Sequence, residues 1–288
     1  MNQDNARRGI ILMICTTMIF SVQDGLSRYL AGEYNVIMIV LLRYWFFAMF
    51  VVAISSTREG GVRRVAKSAQ LPLQIIRGLL LVADVGVMVL AFVLLGLAES
   101  HAIFTVFPLM VAALSGPVLG EKVGWRRWVA IGVGLLGVMI ILQPGSGVFS
   151  INALLPLAGA LMFAFYVLLT RKVARKDSAE TSFFWTGVTG AVAITLIGPF
   201  FWEPLQGTDW WLMGALCLTG SIGHYVLIKA YEAATPTVVQ PFGFLQLLFV
   251  SLIGFSVFGE TLDIWLAVGA VLVIGAGLFT LLREKATA

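Results

Sequence analysis

At 288 residues, 59% hydrophobic and only 12% charged, with a mean hydropathy of +0.96, the chain lies far from the roughly half-apolar, quarter-charged makeup of a soluble domain. That excludes a soluble globular fold and leaves an integral membrane protein, in which a spanning helix needs about 20 mostly apolar residues. The bases behind the net charge of +4 sit in the loops between apolar runs, on one side of the membrane, so no nucleic-acid partner is expected.

Ten apolar runs follow in order, at about 9–30, 36–54, 75–97, 101–119, 128–143, 153–171, 183–201, 211–231, 236–258 and 264–282. The third to fifth are separated so narrowly that nine spans is the alternative count. The longest stretch outside them, about 55–74, leaves no room for a soluble domain. The first run follows Arg7 and Arg8, but it is longer than a signal peptide's apolar core and is expected to stay in the mature chain.

Polar residues inside such runs are costly and are functional candidates by default. The first run carries Gln23, Asp24 and Arg28, and the second Arg43. With Glu33 at the tip of the hairpin, Asp24 lies nine residues before it and Arg43 ten after. The two are therefore expected at matching depth as an ion pair that ties two helices together, gates, or meets a substrate carboxylate. The third run places Asp84 near mid-membrane with Arg77 two turns below it, and Asp84 is expected to bind a substrate ammonium, carry a proton or bridge helices.

His101 falls near one end of the fourth run and His224 in the middle of the eighth, so the two make no metal site. His224 with Tyr225, together with Gln23, Gln240 and Gln246, could line a polar cavity. Phe104, Phe107, Tyr166, Trp185, Phe242 and Phe244 could wall a ligand side chain, or simply pack. Trp202, Trp210 and Trp211 flank a loop as an interfacial belt. Gly132, Gly134 and Gly137, with Gly269, Gly275 and Gly277, allow close helix approach within the chain or between two copies. Cys15 and Cys217 sit inside runs and imply no disulfide framework.

Lys and Arg fall on one side: at the N-terminus, in 58–67, 122–127 and 171–176, and at the C-terminus. Glu33, Glu99, Glu203, Asp209, Glu260 and Asp263 fall on the other, with Arg28 as the nearby base. By the positive-inside rule both termini are cytoplasmic. The sequence also repeats. "MIFSVQDGLSRYL" (18–30) aligns with "LMFAFYVLLTRKV" (161–173), pairing Phe20 with Phe163 and Arg28 with Arg171. Gly120-Glu121 aligns with Gly259-Glu260, and "WVAIGVG" with "WLAVGAV". Five spans per half force the second half to enter from the opposite face. The expected fold is an all-α polytopic membrane protein of ten transmembrane helices, built as two inverted five-helix repeats, 1–145 and 146–288, with a binding site between them.

The two Gly-Glu turns, Pro108 thirteen residues ahead of Glu121, the Gly-rich fifth and tenth runs and Arg43 resemble the drug/metabolite transporter superfamily in its ten-helix EamA-domain form. Length, hydropathy and aromatic content resemble its aromatic amino-acid exporter type. The second half departs from the pattern, with Leu247 where Pro108 aligns and Pro236 and Pro241 earlier. The resemblance implies a cavity built from spans one, three and four and their counterparts six, eight and nine. It also implies a secondary transporter, not an enzyme, exporting amino acids across a bacterial inner membrane, as a monomer or homodimer and without a cofactor. Gln23, Asp84, Tyr166, His224, Tyr225 and Gln246 are the expected substrate contacts. A proton-coupled multidrug antiporter is the alternative.

Overall fold

The computed structural model describes residues 3–120, 124–142, 150–234, 239, 242–261 and 263–287. Among these the chain is helical, with no strand. The helices are α1 (Gln3–Glu33), α2 (Val36–Ser56), α3 (Gly61–Ala66), α4 (Leu71–Leu95), α5 (Leu97–Phe104), α6 (Phe107–Leu119), α7 (Trp125–Leu142), α8 (Leu154–Val173), α9 (Ala179–Thr195), α10 (Asp209–Ala233), α11 (Leu245–Phe258) and α12 (Ile264–Thr287). Within the described residues five segments are long and apolar enough to cross a bilayer: Ala6–Glu33, Val36–Ser56, Leu71–Leu95, Leu97–Leu119 and Ile151–Val173. Shorter apolar helices lie at Trp128–Ile141, Leu245–Phe258 and Ile264–Phe279.

Local chemistry sets the boundaries. Asn35 caps α2 by accepting from the Ile37 N–H at 2.9 Å, and Ser178 caps α9 by accepting from Thr181 at 3.1 Å, each satisfying an orphan donor of the first turn. The third and fourth runs start four residues earlier than the hydropathy suggests, at Leu71 and Leu97. The fourth is also broken. Pro108, in the first turn of α6, has no N–H to return to the Phe104 carbonyl, so α5 ends there and α6 starts afresh. Both Gly120 and Gly259, the glycines of the repeated Gly-Glu pair, end their helices in the left-handed region (φ 76° and 66°), which a side chain would disfavour. Glu121 and Lys122 lie outside the described residues.

Packing pairs α1 with α10, α4 with α8, α2 with α9 and α7 with α12. Further contacts join α1 to α11, α6 to α8, α2 to α10 and α4 to α9. The α7–α12 seam is closest where Gly137 and Gly269 face each other's backbones. These glycines therefore serve packing inside one chain. At the basic end the loop after α8 is tied to α4. Asp177 accepts from the Ser68 hydroxyl (2.5 Å), the Ala69 N–H (2.8 Å) and Gln74 Nε2 (2.9 Å). Burial alone would raise the Asp177 carboxyl, but these hydrogen bonds outweigh it and hold it below the ordinary carboxylate range.

Candidate functional site

Through the apolar run of α1, serine and threonine hydroxyls return to their own helix: Thr16 to the Leu12 carbonyl (2.8 Å), Ser21 to Thr17 (2.7 Å) and Ser27 to Gln23 (2.8 Å). Asp24 has no such local option and reaches outward. Its Oδ2 accepts from Gln246 Nε2 on α11 at 3.0 Å and meets His101 Nε2 on α5 at 3.0 Å. Gln23 Nε2 lies 3.4 Å from the other oxygen. An ionised carboxylate only accepts, so His101 donates through Nε2. Asp24 and His101 are buried, at 8% and 6% exposure, and the imidazole lies flat on Phe92 at 5.2 Å between centroids.

This corrects the expected Asp24–Arg43 ion pair. Among the described residues Asp24 is bonded to His101, Gln246 and Gln23, and Arg43 donates to the Ser27 hydroxyl at 3.3 Å instead. Matching depth along a hairpin fixes height but not direction around the helix. Here α10 packs against both α1 and α2, and Asp24 faces α5 and α11.

Beside this cluster lies a small, partly open cavity between α2, α4 and α10. It is lined by Arg43, Tyr44, Phe47, Cys217, Ser221 and His224 together with apolar side chains. His224 stacks on Phe47 at 5.7 Å and meets the edge of Phe20 at 5.1 Å. Counted as space open to the centre of a water-sized sphere, the cavity is about 40 Å³. One water needs roughly 10–15 Å³ on that measure, so the cavity holds a few waters or one small polar group, not a whole metabolite.

Asp84 is 4% exposed, and its Oδ1 has no hydrogen-bond partner among the described residues. It faces α8 where Gly159 leaves room for it. Two turns along α4, Arg77 is 1% exposed, not at the surface with the other bases. It donates to Gln74 Oε1 (3.2 Å), Tyr166 Oη (3.2 Å), Thr170 (3.2 Å), Thr186 (2.7 Å) and the Ser182 carbonyl. The cation is thus dispersed over neutral acceptors on α4, α8 and α9. Tyr166 belongs to this hub and stacks on Phe163, which meets Phe107 and Phe104.

At the acidic end Glu260 closes a clasp. It accepts from Arg28 and from the N–H groups of Leu97 (2.7 Å) and Ala98 (3.1 Å) at the start of α5. The Arg28 guanidinium sits 4.1 Å from the Phe258 ring centroid. Gly96, at φ 96°, has no Cβ that would meet the carboxylate.

Of the expected substrate contacts, Gln23 and Gln246 come together on Asp24, His224 lines the cavity, and Asp84 and Tyr166 lie along α4 and α8. Tyr225 does not join them. It is 39% exposed on the outer face of α10, with Lys229 5.7 Å from its ring. Trp185 is also drawn elsewhere, donating to the Ala66 carbonyl at 3.1 Å. Gln240, Pro236 and Pro241 lie outside the described residues. Sequence reasoning missed the roles of His101 and Glu260. Glu260 left a signal in the repeated Gly-Glu; His101 was obscured by the assumption of an unbroken fourth helix.

The profile of the EamA-like transporter family matches this chain twice, over residues 7–143 and 150–282. An S-adenosylmethionine uptake transporter of Rickettsia prowazekii (strain Madrid E) is 24% identical, over 96% of this chain and 93% of its own length. A riboflavin transporter of Vibrio cholerae serotype O1 is 27% identical, over 93% and 90%. A solved crystal structure shares the fold, with a TM-score of 0.66 at 18% identity over 96% of this chain and 98% of that one. These relatives transport S-adenosylmethionine and riboflavin, so the resemblance to the aromatic amino-acid exporter type is not borne out.

Proposed function

Since the chain belongs to the EamA-like transporter family, we propose that it is a secondary carrier of small metabolites that join a flat aromatic or heteroaromatic body to a polar end, working by alternating access across a bacterial inner membrane. The observation that carries this reading is the convergence of Gln23, Asp24 and His101 from the first matched segment with Gln246 from the second on one buried carboxylate, beside an aromatic-lined cavity. S-adenosylmethionine and riboflavin, the cargoes of the two relatives, both contain a fused nitrogen heterocycle. Free aromatic amino acids share the flat body with both, and the α-ammonium carboxylate end with S-adenosylmethionine, and stay within the class.

The helix neighbours support two equivalent halves. If α1, α2, α4, α5–α6 and α7 correspond to α8, α9, α10, α11 and α12, the α1–α10 contact becomes α8–α4, α1–α11 becomes α8–α6, and α2–α10 becomes α9–α4, all of which occur. We read the halves as inverted, with both termini on the basic, cytoplasmic side. The sequence carries no nucleotide-binding motif, so a solute or proton gradient is the driving force. The second reading, a proton-coupled cation antiporter, is favoured by one observation, the unpartnered Asp84 carboxylate.

The test is uptake of labelled S-adenosylmethionine, riboflavin, tryptophan and a cationic dye into liposomes carrying the purified protein, with and without a pH gradient. Saturable uptake of any of the first three supports the metabolite carrier. Gradient-driven movement of the dye alone would replace it with the antiporter.

A further inference from the structure

Arg43 carries a charge that Asp24 meets only through space. A guanidinium offers five N–H donors, yet its one bond here is a long one, 3.3 Å to Ser27. No carboxylate among the described residues lies within ion-pair distance of it. Asp24, the acid expected to pair with it, is committed to His101 and Gln246. Arg77 shows how this protein buries a cation for structural ends, with acceptors on three helices. Arg43 lacks that treatment and lines a cavity instead.

The same cavity holds a second unsatisfied group. Ser221 is 1% exposed and its hydroxyl has no partner among the described residues. Leaving a buried hydroxyl unmatched costs free energy unless something else occupies the space. Tyr44, Phe47 and His224 complete the wall, and Arg43 is its one formally charged side chain. Half-buried between apolar walls, that charge acts on an anion more strongly than it would in bulk water.

We propose that the Arg43–Ser221 cavity is the seat for a carboxylate at the polar end of the carried metabolite. This rests on the carrier reading and deepens it. The guanidinium offers two parallel N–H groups to the two carboxylate oxygens, Ser221 donates to one of them, and Phe47 with His224 borders the adjoining aromatic body. The volume suits this division, because about 40 Å³ admits the head group alone. The body would sit where the helices part.

Cys217 lies in the same wall, and in a Cys15→Ser background it is the sole thiol. Its rates of modification by a negatively charged and a positively charged methanethiosulfonate, in membranes, report the sign of the cavity without requiring transport. With each rate divided by that reagent's rate on a free thiol in solution, the anionic reagent is expected to be favoured about tenfold over the cationic one, the scale by which a charged cleft concentrates a counter-ion. Arg43→Gln should abolish that preference and Arg43→Lys should keep it. An equal or reversed preference in the parent protein would overturn the proposal, as would a preference that Arg43→Gln leaves intact. A Cys217 that reacts with neither reagent would overturn it too, since a cavity never reached by an aqueous anion is no substrate seat. Labelling as expected with no uptake of any solute would leave the anion seat standing and remove the carrier reading. Uptake without the charge preference would remove the seat alone.

Discussion

A buried carboxylate is tolerated only where donors surround it, and Asp24 meets that demand with groups from three helices. Asp24→Asn keeps the volume but removes the charge and turns one acceptor oxygen into a donor; with the remaining oxygen on His101 and Gln246, its NH2 is turned on Gln23 Nε2. A mismatch of about 1–3 kcal/mol should lower the initial uptake rate roughly ten- to hundredfold at equal reconstituted protein; unchanged uptake would reduce the cluster to packing. Asp177 makes a different prediction, because its carboxyl is held below its ordinary range in the folded protein. Such a group adds stability that is present above the unfolded carboxylate pKa, near 3.9, and is lost as pH falls through the lowered folded value. Although Asp177 is only 9% exposed, it sits at the rim of the bundle where water still screens it, so the contribution is set at about 1 kcal/mol. Asp177→Asn should lower the melting temperature at pH 7, and the gap to the parent protein should close as the pH falls below the carboxylate range. Polar residues in apolar runs made Asp24, Arg43, Asp84 and Gln246 legible in the sequence. Their partners were not, because run positions give depth while hydrogen bonding depends on the direction each helix turns its side chain.

At the scale of the element, the break between α4 and α5 does the positioning. α4 stops at Gly96, and α5 starts with its first N–H groups aimed at Glu260, where the positive end of the helix favours a carboxylate. Arg28 completes the pairing from α1. Glu260→Gln removes the charge from all three contacts, and Gly96→Ala pushes a methyl group into the carboxylate in a backbone region that alanine avoids. Each should lower the melting temperature, by about 1–3 kcal/mol of stability. Because both break one clasp, the double variant should cost clearly less than the sum. Full additivity would mean that Gly96 and Glu260 act separately. Hydropathy located most of these helices, since a bilayer imposes a minimum apolar length. It could not see the interruption at 105–106, where a proline in an apolar run leaves hydropathy unchanged while removing a backbone donor. Smoothing over that break is what made His101 look peripheral.

For the whole molecule, alternating access requires the contacts between halves at one end to separate while those at the other close. At the acidic end the Glu260 clasp joins α1 and α5 to the loop after α11. Just inside it, α1 and α11 meet at Gly25, where a Cβ would lie 3.0 Å from Ile253 Cγ2. One further C–C bond separates Ile253 Cγ2 from its Cβ, so the two Cβ atoms lie at most about 4.5 Å apart, within the reach of a disulfide. In a background lacking Cys15 and Cys217, Gly25→Cys with Ile253→Cys should cross-link under mild oxidant without distorting the bundle. If the halves rock about the buried Asp24 cluster, the oxidised protein is fixed with its acidic end closed and uptake should stop, returning when a reductant opens the bridge. The two single variants, exposed to the same oxidant, should keep transporting and so separate the cross-link from the loss of either side chain. Uptake at the parent rate with the bridge formed would mean that α1 and α11 move as one body. The parting line would then have to lie elsewhere, with the α7–α12 seam as the next candidate.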